Sequence, residues 1–308
     1  MRIVRHPQPG APAAALAIGS FDGVHRGHAW MLNRVADEAR ARALESAVLT
    51  FEPLPREFFA PQEAPARLTT ISERLPLIAR SGIATAFVQR FDLSFSTLTP
   101  EEFAQRLRTH HGARWVIVGE DFRYGSRRAG DGETLLAAGR RLGFEVEILP
   151  AVTLDGIRAS STRVREALAK GDFAEAKHQL GRPYAITGRV MHGAKRGRGL
   201  GFPTANVRLG RRKAPLSGIF AVKCYGATTR GLEGVASLGT NPAVNHRGPA
   251  TLEAFLFDFS GDLYGRRVSI EFVKKLRDEA PFASLDELAA QIRRDCDAAR
   301  EFFRATGT

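Results

Sequence analysis

Gly19-Ser20-Phe21-Asp22-Gly23-Val24-His25-Arg26-Gly27-His28 closes a short apolar run, Ala14–Phe21, and leads into Ala29–Leu44, where Met31, Val35, Ala39 and Ala43 recur at helical spacing. The stretch therefore reads as a turn from a strand into a helix. Glycines at such a turn let the backbone approach an anion, and the helix start offers N–H groups that have no partner within the helix. His25 and His28 bracket Gly27, so both imidazoles can donate to charge developing on a phosphate. Gly19, Phe21, Asp22 and Gly23 make up the turn that such an anion would meet. Zinc binding lacks a third ligand at useful spacing. Working outward, Ser46–Phe51, Ile83–Val88, Arg114–Gly119 and Phe144–Leu149 read as strands, and Ile71–Arg80, Glu133–Leu142 and Ser161–Lys170 as helices, the last stopped by Gly171. Strands alternating with helices predict a parallel sheet covered on both faces, with ligands bound beyond the carboxyl ends of its strands.

The 308 residues are 44% hydrophobic and 25% charged, which excludes wholesale disorder. That length exceeds what one core usually fills, so two domains are expected. No apolar run reaches the roughly 18 residues of a membrane span, and no membrane association is expected. The patch Ala11–Ile18 contains Pro12 and runs straight into the motif, unlike a signal peptide. Cys224 and Cys296 stand far apart, without a CxxC pair or a Cys/His cluster, against both a disulfide scaffold and structural zinc. A cytoplasmic location is the expectation. Net charge is +12, and it is uneven: residues 1–180 carry 24 Lys and Arg against 21 Asp and Glu, residues 181–308 carry 21 against 12. Between Glu175 and Glu233 lie 57 residues with 12 basic side chains and no acidic one. Such a field attracts polyanions, whether nucleic acid or phosphorylated small molecules.

Beyond residue 180 the texture changes. Tyr184–Met191, Gly218–Tyr225, Gly234–Leu238, Thr251–Phe259 and Val268–Phe272 alternate with Gly/Pro/Asn-rich turns, predicting a small antiparallel barrel. Ser284 then caps a final helix with Leu285, Leu288 and Ile292 on one face. The boundary falls at Leu180–Pro183, giving domains 1–180 and 181–308. Inside the acid-free window stands Leu200-Gly201-Phe202-Pro203-Thr204-Ala205-Asn206. The Thr204 hydroxyl and Asn206 carbonyl are hard oxygen ligands two residues apart, suited to a Mg²⁺ ion that bridges nucleotide phosphates. His192–Gly201, with Gly193, Lys195, Arg196 and Arg198, can cradle those phosphates, though such a loop alone also suits RNA. Neither a Walker motif nor a complete G-x-G-x-x-G is present. Period-2 spacing sets Glu253 with Phe255, Phe257 and Phe259, while Leu252, Ala254 and Leu256 on the other face are equally apolar. Spacing thus leaves Glu253 either a desolvated base or a solvated carboxylate at a strand end. In Ser160-Ser161-Thr162-Arg163-Val164-Arg165, hydroxyls and guanidinium groups at a helix start can hold a polyphosphate or simply cap the helix.

The HxGH element resembles that of the nucleotidyltransferase superfamily. Its extended form, Phe21 to His28, resembles bacterial bifunctional riboflavin kinase/FMN adenylyltransferases (FAD synthetases) in particular. Thr50-Phe51-Glu52-Pro53 with Pro55-Arg56-Glu57-Phe58-Phe59, Val118-Gly119-Glu120-Asp121-Phe122-Arg123-Tyr124-Gly125 and Ser160–Arg165 match at similar intervals. In the second half, Gly201–Asn206 resembles the riboflavin kinase element, and Asp262–Gly265 and Leu276–Glu279 are also similar, so the resemblance spans roughly residues 15–300. It implies an α/β nucleotidyltransferase domain with a Rossmann-like parallel sheet, followed by an antiparallel β-barrel riboflavin kinase domain with a C-terminal helix. The implied barrel chemistry moves the γ-phosphoryl of MgATP to the 5′-hydroxyl of riboflavin. Glu253 is the implied base, with Thr204 and Asn206 on Mg²⁺ and Gly193, Lys195, Gly201 and Pro203 at ATP. The other domain is implied to join FMN to the α-phosphorus of a second ATP, giving FAD and pyrophosphate. There His25, His28, Ser161, Thr162, Arg163 and Arg165 would meet phosphate, and Asp121 and Phe122 would lie near FMN. The implied partners are riboflavin, FMN, FAD and ATP, with no nucleic acid.

Three positions depart from the family pattern. Leu54 stands where the family writes His, Ser20 where it writes Asn, and Gly239-Thr240-Asn241-Pro242-Ala243 where it writes Gly-Thr-Arg-Pro-Thr. Leu54 leaves open a riboflavin kinase without adenylyl transfer. The basic segment leaves open a non-catalytic RNA- or nucleotide-binding protein.

Overall fold

The strand β2 (Ala14–Ile18) is buried along its whole length, as a central strand covered on both faces must be. It lies in the first of two compact units of the computed structural model, which describes residues 1–192, 202–239 and 250–307. That unit comprises Met1–Pro65 and Ile71–Ser160. In chain order its other strands are β1 (Arg2–Val4), β3 (Glu45–Glu52), β4 (Thr85–Arg90), β5 (Ala113–Gly119), a hairpin of β6 (Arg123–Tyr124) and β7 (Gly130–Asp131), β8 (Glu145–Leu149), and a hairpin of β9 (Thr153–Leu154) and β10 (Ile157–Arg158). Six of them form one sheet in the order β1-β4-β3-β2-β5-β8, every pair parallel. From β2 the chain winds outward through β3 and β4 on one side, then returns to β5 and β8 on the other. The order therefore reverses between β2 and β5, the place at which sheets of this kind bind ligands beyond the carboxyl ends of their strands.

Each face of the sheet carries its own core. The helix Arg26–Ala41 buries Met31, Leu32, Val35 and Ala39 with Ala15, Ala17 and Val48 on one face. On the other face, Pro100–His110 contributes Phe103, Ala104 and Leu107, and Gly132–Leu142 contributes Leu135 and Ala138. The Pro100–His110 helix was not among the predicted elements, although its signal is local. Thr99 Oγ1 accepts from Glu102 N at 3.2 Å while Glu102 reaches back to Thr99 N at 2.7 Å, a reciprocal cap with Pro100 at the first helical position.

His111, which follows that helix, is 1% exposed. Its Nδ1 lies 3.0 Å from the Arg106 carbonyl and its ring meets Phe87 edge-on at 4.9 Å. Nε2 has no hydrogen-bond partner among the described residues. Burial pushes the imidazole pKa down to about 4, a direction reinforced by the charges of His110 and Arg106 and opposed by the Arg106 carbonyl. The unfolded chain therefore takes up this proton first, near pH 6.5, and stability is lost as pH falls from about 6.5 towards 4. The loss is expected to approach ~3 kcal/mol at the lower end. Both tryptophans, Trp30 and Trp115, belong to this unit, so tryptophan-detected urea unfolding reports on it. The urea midpoint should fall between pH 7 and pH 4.5, and the fall should be smaller in His111→Phe.

The second unit comprises Ala66–Thr70 and Ser161–Thr308. Six strands, β11 (Ala185–Met191), β12 (Thr204–Val207), β13 (Gly218–Tyr225), β14 (Leu232–Gly239), β15 (Thr251–Leu256) and β16 (Arg267–Arg277), close an antiparallel barrel in the order β11-β12-β15-β14-β13-β16. Its interior holds Val190, Phe220, Val222, Leu252, Ala254 and Phe272, extended by Val164 and Leu168 of the helix Ser161–Lys170 and by Ala176 and Leu180 of the helix Phe173–Leu180. Leu68, fully buried, joins the same cluster. Its carbonyl accepts from Tyr184 Oη at 3.1 Å and from Arg211 Nη1 at 2.8 Å. On the outer face, the C-terminal helix Leu285–Thr306 buries Ala289, Cys296, Ala299 and Phe303, the last three clustered with Ile219, Ala221, Val235 and Phe257. As predicted, Ser284 caps it, its side chain accepting from Glu287 N at 3.2 Å. Arg277 also fastens it, donating to both oxygens of the buried Asp295 at 2.9 and 2.7 Å.

Candidate active sites

The first candidate site lies at the reversal of strand order, where β2 runs into the loop 19–25 and on into the helix Arg26–Ala41. Within the loop, Phe21 and Asp22 are buried. His25 caps the helix, its Nδ1 accepting from His28 N at 3.4 Å. The His25 and His28 rings stack with centroids 3.7 Å apart, and Phe21 meets His28 edge-on at 5.2 Å. The structure thus brings together the two imidazoles that the sequence singled out. No acidic side chain occupies the first turn of the helix, and the positive end of a helix favours an anion.

Gly27 explains the motif's spacing. A Cβ there would lie 3.1 Å from His25 Cε1 and 3.2 Å from Nδ1, so a side chain would push the capping ring aside. Alanine is the better helix former. Gly27→Ala is therefore expected to leave the urea midpoint of the first unit unchanged or higher. Turnover at this site should nevertheless fall by about tenfold, because a displaced catalytic group is costly at small displacements.

Beyond β5 lie Asp121 and Phe122. Asp121 is exposed and accepts from Arg158 Nη2 at 3.0 Å, and Phe122 stacks on Tyr124 at 5.4 Å. Sequence reasoning missed a chain of aromatic rings at these strand ends. Phe58, Phe91, Phe95, Phe103 and Tyr124 meet successively at 5.1 to 6.1 Å, and Phe59, 65% exposed, adds a free face. Phe58, Phe59 and Tyr124 stand in quoted motifs, whereas Phe91, Phe95 and Phe103 are too scattered along the chain to show a pattern. Leu54 is buried and starts the short helix Pro55–Phe59, its N–H donating to Glu57 Oε2 at 3.0 Å. Ser161, Thr162, Arg163 and Arg165 open the first helix of the second unit. There Arg163 Nε donates to Glu175 Oε1 at 2.7 Å and Arg165 Nε to the Ala66 carbonyl at 2.5 Å.

The second candidate site lies on the outer face of the barrel. Register sets Glu253 opposite Asn206 on one neighbouring strand and opposite Ser237 on the other. Thr204 Oγ1 donates to Glu253 Oε2 at 3.3 Å. Phe255, two residues on, meets Phe202 edge-on at 5.4 Å, and both pack with the C-terminal helix. Glu253 therefore belongs to the outward row, while Leu252, Ala254 and Leu256 point into the barrel. That settles which row carries Glu253, a half-buried side chain. The strand is shorter than predicted: it ends at Leu256, and Asp258 has a φ of 53°. Phe257 still packs under the helix, but beyond the turn Phe259 joins the interior cluster instead. Ser237 was missed because a lone serine in a strand carries no signal. Pro203 precedes β12, whereas Gly193, Lys195, Arg196, Arg198 and Gly201 lie outside the described residues, as do Asn241, Pro242 and Ala243. Gly239, just before that second stretch, is covered by the Glu279 carboxylate. Burial raises the pKa of Glu279 above the usual carboxylate range, against the pull of Arg277.

The two sites sit in segments with separate relatives. A family model described as FAD synthetase matches residues 8–163, and one described as riboflavin kinase matches residues 180–303. The bifunctional riboflavin kinase/FMN adenylyltransferase of Escherichia coli (strain K12) is 46% identical over 301 residues, covering 97% of this chain and 95% of that protein. This chain belongs to that bifunctional family. The corresponding Pseudomonas fluorescens protein is 43% identical over 304 residues, 97% of each chain. A crystal structure described as a macrolide-efflux protein from Streptococcus pneumoniae shares the family fold, with a TM-score of 0.79 and 30% identity over 97% of this chain and 99% of that one. Among the described residues here, no helix is long and apolar enough to cross a membrane.

Proposed function

We propose that this chain phosphorylates riboflavin to FMN at the barrel site and adenylylates FMN to FAD at the parallel-sheet site, using one ATP at each. The observation that carries the reading is the pair of full-length relatives with both activities in their names, joined to two separate polar sites. The functional halves are assigned to 1–180 and 181–308; the riboflavin kinase match begins at 180, whereas the compact unit that holds the barrel already takes in Ser161–Leu180.

At the barrel, Glu253 takes the proton of the ribityl 5′-hydroxyl as its oxygen attacks the γ-phosphorus of ATP, and ADP leaves. The hydrogen bond from Thr204 holds one carboxylate oxygen and leaves the other for that proton. Thr204 bonds Glu253 and register sets Asn206 opposite it, so a hydroxyl, an amide and a carboxylate on neighbouring strands supply the hard oxygen donors that suit Mg²⁺. Among the described residues no cluster of three or more His, Cys, Asp or Glu could hold a metal ion. Thr204 and Asn206 would hold Mg²⁺, and when bound it would neutralise phosphate charge. Pro203 shapes the same ATP site, and Gly193, Lys195 and Gly201 would cradle the phosphates.

At the sheet, a phosphate oxygen of FMN attacks the α-phosphorus of ATP and pyrophosphate leaves, with no protein nucleophile. His25 and His28 donate to the charge developing on the phosphates. Gly19, Phe21, Asp22 and Gly23 shape the nucleotide pocket, and the aromatic chain with Phe122 offers apolar faces for a flavin ring. The roles of Asp121 near FMN, and of Ser161, Thr162, Arg163 and Arg165 at the nucleotide phosphates, rest on the sequence resemblance. The working place of such a soluble biosynthetic enzyme is the cytoplasm.

A chromatographic time course of riboflavin, ATP and Mg²⁺ with the purified chain tests the reading. FMN should rise first and FAD follow. FMN accumulating alone would restrict the chain to kinase activity, in line with the imidazole that position 54 lacks.

A further inference from the structure

Arg74 belongs to no motif, yet it is fully buried in the helix Ile71–Ala79. Its Nη1 donates to Thr50 Oγ1 at 3.2 Å and to the Phe51 carbonyl at 3.4 Å. Thr50, also fully buried, donates its hydroxyl to the Ser20 carbonyl at 3.3 Å. One guanidinium thus links a helix and the carboxyl end of β3 to the loop between Gly19 and Gly23. A cation removed from water adds little net stability even when well bonded, and an apolar side chain would fill the same space at lower desolvation cost. The loop, by contrast, needs external support. Phe21 and Val24 have φ of 49° and 42°, left-handed values that bulky and β-branched residues hold only where their surroundings impose them.

We propose that Arg74, acting through Thr50, is a positioning residue for adenylyl transfer, holding the Ser20 carbonyl and with it the loop that receives the nucleotide phosphates. The inference rests on the FMN adenylyltransferase reading above. Arg74 touches no substrate. It sets where the backbone of residues 19–23 stands relative to His25 and His28.

The test uses the full chain, whose kinase activity is an internal control. Thr50→Val keeps the volume and the strand preference but removes the relay, Arg74→Lys keeps the charge but loses the planar fork, and Thr50→Ser keeps the hydroxyl. With FMN and ATP supplied, kcat for FAD formation should fall about tenfold in Thr50→Val and Arg74→Lys. KM for FMN should stay within about twofold, because a misplaced phosphate loop spoils the reacting geometry rather than flavin binding. Riboflavin phosphorylation should be unchanged in the same preparations, and Thr50→Ser should recover most of the FAD rate. Full FAD formation by Thr50→Val would overturn the proposal. So would a loss that follows a lowered tryptophan-detected urea midpoint and is shared equally by Thr50→Ser, since that is the behaviour of a merely structural residue. A wild-type chain that makes FMN but no FAD would instead remove the adenylyltransferase reading itself.

Discussion

Glu253→Gln is expected to slow FMN formation from riboflavin by about 10²- to 10⁴-fold, the usual cost of losing a general base, and to leave FAD formation from supplied FMN intact. The substitution is nearly isosteric. The amide carbonyl can still accept from Thr204 Oγ1, which now bonds Glu253 Oε2 at 3.3 Å, and the outward row on β15 keeps its packing through Phe255. What the amide cannot do is take the ribityl proton. Separate assays with riboflavin and with FMN as substrate check this, and the barrel's integrity is checked by far-ultraviolet dichroism. An unimpaired kinase would assign the base to another group.

His28→Ala gives the complementary result. Adenylyl transfer should fall by about 10²- to 10³-fold, the scale for removing one preorganised donor to developing charge, while riboflavin phosphorylation continues and FMN accumulates. The helix start should survive, because the cap runs from the His28 backbone N–H to His25 Nδ1 and does not use the His28 ring. The ring's contacts with His25 and Phe21 are lost, so a modest drop in the urea midpoint is expected as well. Neither variant alone should turn riboflavin into FAD efficiently. A mixture of the two should, since FMN made by His28→Ala is the substrate of Glu253→Gln. Failure of the mixture would mean that the two steps do not communicate through free FMN.

What could be read from the sequence was local. The strand-turn-helix around His25 and His28 is contiguous, and its glycines announce the turn. Thr204 and Asn206 were singled out as oxygen ligands before it was evident that they lie on a strand, β12, whose neighbour carries Glu253. The face of Glu253 needed the barrel's closure, because both rows of β15 are apolar in sequence. Ala66–Thr70 could not have been assigned to the second unit from sequence: Leu68 looks like any loop leucine until Tyr184 and Arg211 are seen bonded to its carbonyl. Arg74 reads as a solvated helix arginine, and only its complete burial reveals the link to Thr50 and Ser20. The aromatic chain from Phe58 to Tyr124 is likewise a product of tertiary packing, which brings rings on the helices Pro55–Phe59 and Pro100–His110 into one row with Tyr124 on β6. The Pro100–His110 helix is different, since its Thr99–Glu102 cap was visible in sequence.

The central claim is that one chain transfers two different phosphorus atoms of ATP, each at its own site. Riboflavin incubated with the wild-type chain, Mg²⁺ and ATP labelled with ³²P at either the γ or the α position tests this directly. The account expects γ label in both FMN and FAD, and α label in FAD alone. Absence of α label from every flavin would leave a kinase without adenylyl transfer, and absence of both labels, in folded protein, would contradict the account outright.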